Sequence, residues 1–127
     1  MMSDTFSKPT LYLKAGCPFC MKLRIFVLET GLTAVIETRD FAVGTPEEEA
    51  IRETLAPHFE KISFPAAQIA PGKFIAESDA IIGLLAEKAG RKPETLPVYT
   101  AYLDGPFAAI MKLWQENVEL KKAAAST

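Results

Sequence analysis

Leu11-Tyr12-Leu13-Lys14-Ala15-Gly16-Cys17-Pro18-Phe19-Cys20 leads from a short apolar run into two cysteines, the only two in the chain. Thr10 to Lys14 reads as a strand buried on both faces, because its residues are β-compatible and mostly apolar. Pro18 suits the first position of a helix, where a missing N–H costs nothing, and this makes Cys17 the N-cap. Along that helix Met21, Leu23, Ile25, Phe26, Val27 and Leu28 leave Lys22, Arg24 and Glu29 as the charged positions, so most of it is expected to be covered. Gly31 fits the left-handed position just past its end.

Working outward, Ala34 to Thr38 predicts a second strand, which completes a parallel βαβ unit. Thr45, Pro46 and Glu48 form a capping box for a helix that runs to about Leu55, because Pro57 disfavours helix at the residue before it. Ser63 to Ile69 predicts a third strand with Pro65 at its entrance. Ala70-Pro71-Gly72-Lys73 has the residues of a type II turn and leads into a fourth, antiparallel strand at Phe74-Ile75-Ala76. Ser78 then caps a helix carrying Ile81, Ile82, Leu84 and Leu85 that stops at Gly90. The order βαβ, α, ββ, α is that of a thioredoxin-like α/β fold with a four-stranded mixed sheet.

Residues 1–90 are read as this domain, and residues 91–127 as a connector and an added C-terminal helix that Gly105-Pro106 starts or kinks. Phe107, Ile110, Met111, Trp114 and Val118 recur at helical spacing as an amphipathic stripe. The stripe covers the domain's own sheet or first helix, or else forms a homodimer surface. Ala123 to Thr127 are expected to fray.

Composition bounds the function. The 127 residues are 49% hydrophobic and 24% charged, with a net charge of −2, as in a soluble globular protein. Charges of both signs are interspersed, which gives no footprint for nucleic acid. No apolar run approaches the roughly 20 residues of a membrane span. Met1 to Lys8 lack the apolar core of a signal peptide, so a cytoplasmic location is expected, where a cysteine pair is not a structural staple.

Structural zinc usually takes four ligands. One Cys-x-x-Cys pair and a single histidine, His58, do not supply them, so no metal within the chain is expected. A cluster shared between chains, or two thiols packed as small hydrophobes, remain alternatives. His58 reads as a surface or capping residue with no catalytic role. Cys-x-x-Cys beside a βαβ unit is the pattern of a redox pair. At the N-cap, Cys17 faces unpaired N–H groups and the positive end of the helix dipole, and thiols so placed drop from about 8.5 into roughly the 3.5–7.5 range. Cys17 is then the nucleophile, and Cys20, one turn on, the resolving thiol.

Cys17-Pro18-Phe19-Cys20 after a strand, Phe64-Pro65 before the third strand and Glu77-Ser78-Asp79 before the next helix resemble glutaredoxins and the N-terminal domain of glutathione S-transferases, over about residues 9–90. The resemblance implies a cis Pro65, with the backbone of Phe64 facing the cysteinyl part of glutathione. It implies that Ser78, with Glu77 and Asp79, receives the γ-glutamyl end, that Lys14 meets the glycyl carboxylate and that Phe19 lines the site. Phe64 stands where a small β-branched residue is usual, and Ala76-Glu77 replace a glycine pair found in glutaredoxins. Ser78 as a plain cap, Lys14 as a solvated side chain and Asp79 as a first-turn acid are the structural alternatives.

The activity implied is thiol–disulfide exchange with glutathione as co-substrate, on glutathionylated or disulfide substrates. A second reading is a transferase joining glutathione to an electrophile, whose pocket would come from the last helix or a partner chain. A third is a non-catalytic module that binds glutathione or an Fe–S cluster.

Overall fold

The computed structural model describes residues 8–125; the leader reading of Met1 to Lys8 lies outside them except for Lys8. Strands β1 (Thr10–Lys14), β2 (Glu37–Phe41), β3 (Ala66–Ala70) and β4 (Lys73–Ala76) form one sheet in the order β2-β1-β3-β4. β2 runs parallel to β1, β3 antiparallel to β1, and β4 antiparallel to β3. The helices are α1 (Pro18–Thr30), α2 (Pro46–Leu55), α3 (Ser78–Ala89), α4 (Pro97–Tyr102) and α5 (Ala108–Ala125). This is the thioredoxin-like α/β fold, with a long C-terminal helix added.

Side chains of a strand alternate between faces, and the two faces of β1 and β3 build two cores. Leu11, Leu13 and Ala67 pack with Leu23, Phe26 and Val27 of α1 and Ile81, Ile82 and Leu85 of α3. Tyr12 and Ala66 pack on the other side with Phe41 and with Ile51 and Leu55 of α2. The sheet is thus covered on both faces.

Several local expectations shift. Leu32–Val35 form a 3-10 turn, and the second strand starts at Glu37 rather than Ala34. The parallel register pairs Thr10 with Glu37 and Lys14 with Phe41, which delivers Phe41 to the second core; a strand beginning at Ala34 would leave that ring beyond the sheet. β3 starts at Ala66, not Ser63, because Pro65 has no N–H for the ladder. The bond before Pro65 is cis. Thr45 Oγ1 accepts the Glu48 N–H at 3.3 Å, while the Glu48 carboxylate accepts from Gly44 at 2.8 Å, one residue earlier than a capping box requires. On α1, Met21 and Leu28 are exposed, whereas Lys22 is buried. α5 continues through Ala125, so Ala123 to Ala125 are helical; residues 126–127 lie outside the described part.

Gly105-Pro106 does not start a helix. Leu103–Phe107 form a π-helical turn joining α4 to α5. Pro106 cannot donate a backbone bond, and its ring crowds the carbonyl four residues earlier; widening the turn relieves both. α4 is tied to α1 near both ends. The Glu29 carboxylate accepts the N–H groups of Val98 (2.8 Å) and Tyr99 (2.7 Å) at the start of α4. Tyr102 Oη donates to the Pro18 carbonyl at 2.8 Å. Among the described residues, no helix is long and apolar enough to cross a membrane.

Leu96, in the connector, is fully buried in the first core, while Leu28 is 67% exposed. Leu96→Ala is therefore expected to lower unfolding free energy by about 2–5 kcal/mol and Leu28→Ala by no more than about 0.5 kcal/mol, measured by urea denaturation. Equal effects would contradict this placement of the connector.

Candidate active site

β1 ends at Lys14, and a left-handed turn at Gly16 (φ 77°) brings the chain to Cys17, whose extended backbone (φ −94°, ψ 122°) makes it the N-cap of α1. The Met21 N–H donates to the Cys17 carbonyl at 2.9 Å, opening the helix. Both cysteines are free thiols, Cys17 partly exposed and Cys20 fully buried. Cys20 Sγ also accepts the Lys14 backbone N–H at 3.3 Å, which fixes it beneath the end of β1.

The acidity of Cys17 follows from these neighbours. Its pKa falls to about 6, chiefly because the Cys20 thiol donates to its sulfur, helped by the N–H groups of Cys20 and Phe19 and by the Lys14 charge, against a burial cost. The sulfur makes no capping hydrogen bond of standard geometry, so these N–H groups act on it as nearby dipoles. Cys20 moves the other way: donating to Cys17 holds its proton on, and burial adds to the effect. Burial and the Cys17 charge also raise Tyr102, whose hydroxyl reaches the start of α1.

Several cavities surround the head of α1, and two of them hold the residues singled out in the sequence. One, of about 240 Å³, is lined by Phe19, Lys22, Ser63, Phe64, Pro65, Glu77, Ser78 and Asp79. The other, of about 330 Å³, is lined by Lys14, Gly16, Cys17, Pro18 and Phe19 on one side and Ile110, Met111 and Trp114 of α5 on the other. The structure therefore gathers Phe19, Phe64, Pro65, Glu77, Ser78 and Asp79 into one cleft and places Lys14 and Cys17 in the second cavity. Phe19 borders both. Phe64 is packed against Phe41 (4.7 Å between ring centroids), with the Arg52 guanidinium 5.2 Å from its own centroid.

Ser78 is not the N-cap. Glu77 holds that position and Ser78 is the first residue of α3, buried at 6% exposure. Glu77 reaches it with φ 81° and ψ 120°, a region ordinarily left to glycine. Glu77, one of the two residues where the resemblance to glutaredoxins implies glycine, is thus held in a glycine-like conformation, and such strain gathers at functional sites.

Sequence reading missed three contributions. Lys22 lies in the first cleft, ion-paired to Asp79 at 2.8 Å; its i,i+3 spacing from Phe19 was the available signal. Phe107 stacks edge-on against Phe19, with 5.4 Å between ring centroids. Ile110, Met111 and Trp114, with Phe107, were visible as a stripe; it lies by the head of α1, as the first-helix alternative has it, and there lines the Cys17 cavity. Among the described residues, no cluster of three or more His, Cys, Asp or Glu side chains could hold a metal. His58 is exposed and stacks on Phe74, 3.8 Å between ring centroids.

No match is found among curated proteins. The chain is similar in structure to a glutathione S-transferase from the Antarctic clam Laternula elliptica, at 24% identity over 68% of this chain and 37% of that one, with a TM-score of 0.46. Glutathione transferase Omega 3C from Trametes versicolor aligns at 19% identity over 79% and 43% of the two chains, with a TM-score of 0.49. The Tau class glutathione S-transferase from mango, Mangifera indica, aligns at 22% identity over 84% and 50%, also with a TM-score of 0.49. The chain spans at most half the length of these three structures. A family profile described as glutathione S-transferase, N-terminal domain, matches residues 11–93. The chain, with its Cys-x-x-Cys pair at the head of α1, belongs to the glutathione S-transferase N-terminal domain family.

Proposed function

We propose that the protein is a glutathione-dependent thiol–disulfide oxidoreductase in which Cys17 is the nucleophile and Cys20 the resolving thiol. One observation carries this reading: a partly exposed Cys17 sits at the N-cap of α1 beside a fully buried Cys20, and that neighbour holds its thiol pKa down to about 6. Thiolates, not thiols, attack disulfides, and attack is fastest when the thiol's pKa lies near the ambient pH.

The Cys17 thiolate attacks the glutathionyl sulfur of a mixed disulfide. A bond forms between Cys17 and glutathione, the substrate–glutathione bond breaks, and the substrate leaves as a thiolate that takes a proton from solvent. Cys17 is then no longer a thiolate accepting from the Cys20 thiol, so the largest cause of Cys20's raised pKa is gone. Cys20 can now lose its proton and attack Cys17, releasing glutathione and leaving a Cys17–Cys20 disulfide that two glutathiones reduce. Alternatively, a second glutathione attacks the first directly and restores Cys17.

Glutathione lies in this reading with its γ-glutamyl end in the cleft of Glu77, Ser78 and Asp79, between Phe19 and Phe64-Pro65, and its glycyl carboxylate toward Lys14. The first N–H groups of α3 and its positive dipole end suit a carboxylate.

A transferase reading is favoured by a separate observation, the apolar cavity between Cys17 and α5. An electrophile seated there would meet the glutathione sulfur at Cys17.

Glutathione-dependent reduction of a small mixed disulfide is expected to be lost in Cys17→Ser and retained, through the second-glutathione route, in Cys20→Ser; full activity of Cys17→Ser contradicts the proposal. The rate of that first attack should rise with pH through a midpoint near 6 as the thiolate forms. A midpoint at the ordinary thiol value, about 8.5, would overturn the assigned acidity. Trp114→Ala should lower conjugation of an apolar electrophile while sparing disulfide exchange; loss of both together would remove the case for a separate electrophile pocket.

A further inference from the structure

Two hydrophilic side chains are buried among the described residues, Lys22 at 5% exposure and Ser78 at 6%, and both line the same cleft. A buried ammonium is costly unless it is well paired. Lys22 Nζ bonds Asp79 Oδ1 at 2.8 Å, but the Asp79 side chain is 87% exposed. Water weakens an ion pair with so open a partner, while the burial cost falls on Lys22. The rings of Phe19 and Phe107 lie 5.7 and 5.0 Å from Nζ and hold it electrostatically. They accept no ordinary hydrogen bond, and an ammonium has three N–H donors. The site is therefore a cation fixed in a cleft wall with donors to spare and an exposed anion beside it.

We infer that Lys22 is a ligand-binding residue of this cleft: its Nζ receives the α-carboxylate of an α-amino-acid end group while Asp79 takes the adjacent α-ammonium. Two opposite charges 2.8 Å apart match the two charges of such a zwitterion, and the hydroxyl and N–H of Ser78 complete the carboxylate's shell. The inference rests on the reading that glutathione occupies the cleft, since its γ-glutamyl end is this group. It also explains why Phe107 closes over Lys22: excluding water strengthens the charge–charge contact.

The test is calorimetric titration of the reduced full chain with S-methylglutathione and with the same compound amidated at its α-carboxylate. Lys22→Met keeps the aliphatic packing between the two rings and removes the charge. It should weaken S-methylglutathione by between about 10- and 100-fold, the size of a charge-assisted hydrogen bond, and the amide by no more than about twofold. Unchanged binding of S-methylglutathione, or equal weakening of both ligands, overturns the inference and leaves Lys22 a structural residue. If circular dichroism shows Lys22→Met unfolded, the wild type decides: it should prefer the acid to the amide by about tenfold or more, and Lys22→Arg should keep that preference. A wild type that binds the two alike refutes the role of Lys22. A wild type that binds no S-methylglutathione refutes the glutathione reading of the cleft, and this inference with it.

Discussion

The placement of the Cys20 thiol beside Cys17 is the constraint on which the acidity of this site depends. It arises because β1, Gly16 and Pro18 fix where α1 begins, and α1 in turn places Cys20 one turn below Cys17, fully buried against Leu13 and Leu23 in the first core. A buried donor has no competing water, so its proton is directed to the one sulfur that gains from it. Cys17 becomes acidic and Cys20 resistant to ionisation through the same neighbour relation.

The segment after α3 is built onto this junction. Glu29 caps α4 from the far end of α1, Tyr102 bonds the carbonyl of Pro18, and the widened turn around Pro106 lets Phe107 fold over Phe19 and Lys22. A regular helix through Pro106 would direct the following residues differently; the π turn sends Ile110, Met111 and Trp114 past Cys17. The C-terminal helix thereby supplies a wall of the Cys17 cavity, and contributes little to the core of the fold.

Much of the architecture was legible because its signals are local. The N-cap at Cys17, the stop at Gly31, the entrance at Pro65 and the turn at Pro71-Gly72 each follow from what a single residue permits its backbone to do. What was not legible depends on residues far apart. The start of β2 is decided by the need to bring Phe41 to the second face, which β1 and α2 define. Glu77 rather than Ser78 caps α3 because its backbone takes a conformation that residue type would not suggest. Lys22 reads as a surface lysine until Asp79 and Phe107 arrive from elsewhere in the chain. Of the candidate site, the cysteines, Phe64-Pro65 and Glu77-Ser78-Asp79 were read as short motifs; their division between two cavities required the path of α5.

The most direct measurement is an ultraviolet titration of the thiolate in the reduced protein, comparing the wild type with Cys20→Ala. In the wild type, thiolate absorbance should appear with a midpoint near pH 6 and correspond to one sulfur, Cys17. In Cys20→Ala the midpoint should move upward toward the ordinary thiol value of about 8.5. A wild type titrating at that ordinary value, or a midpoint unmoved by the loss of Cys20, would contradict the account.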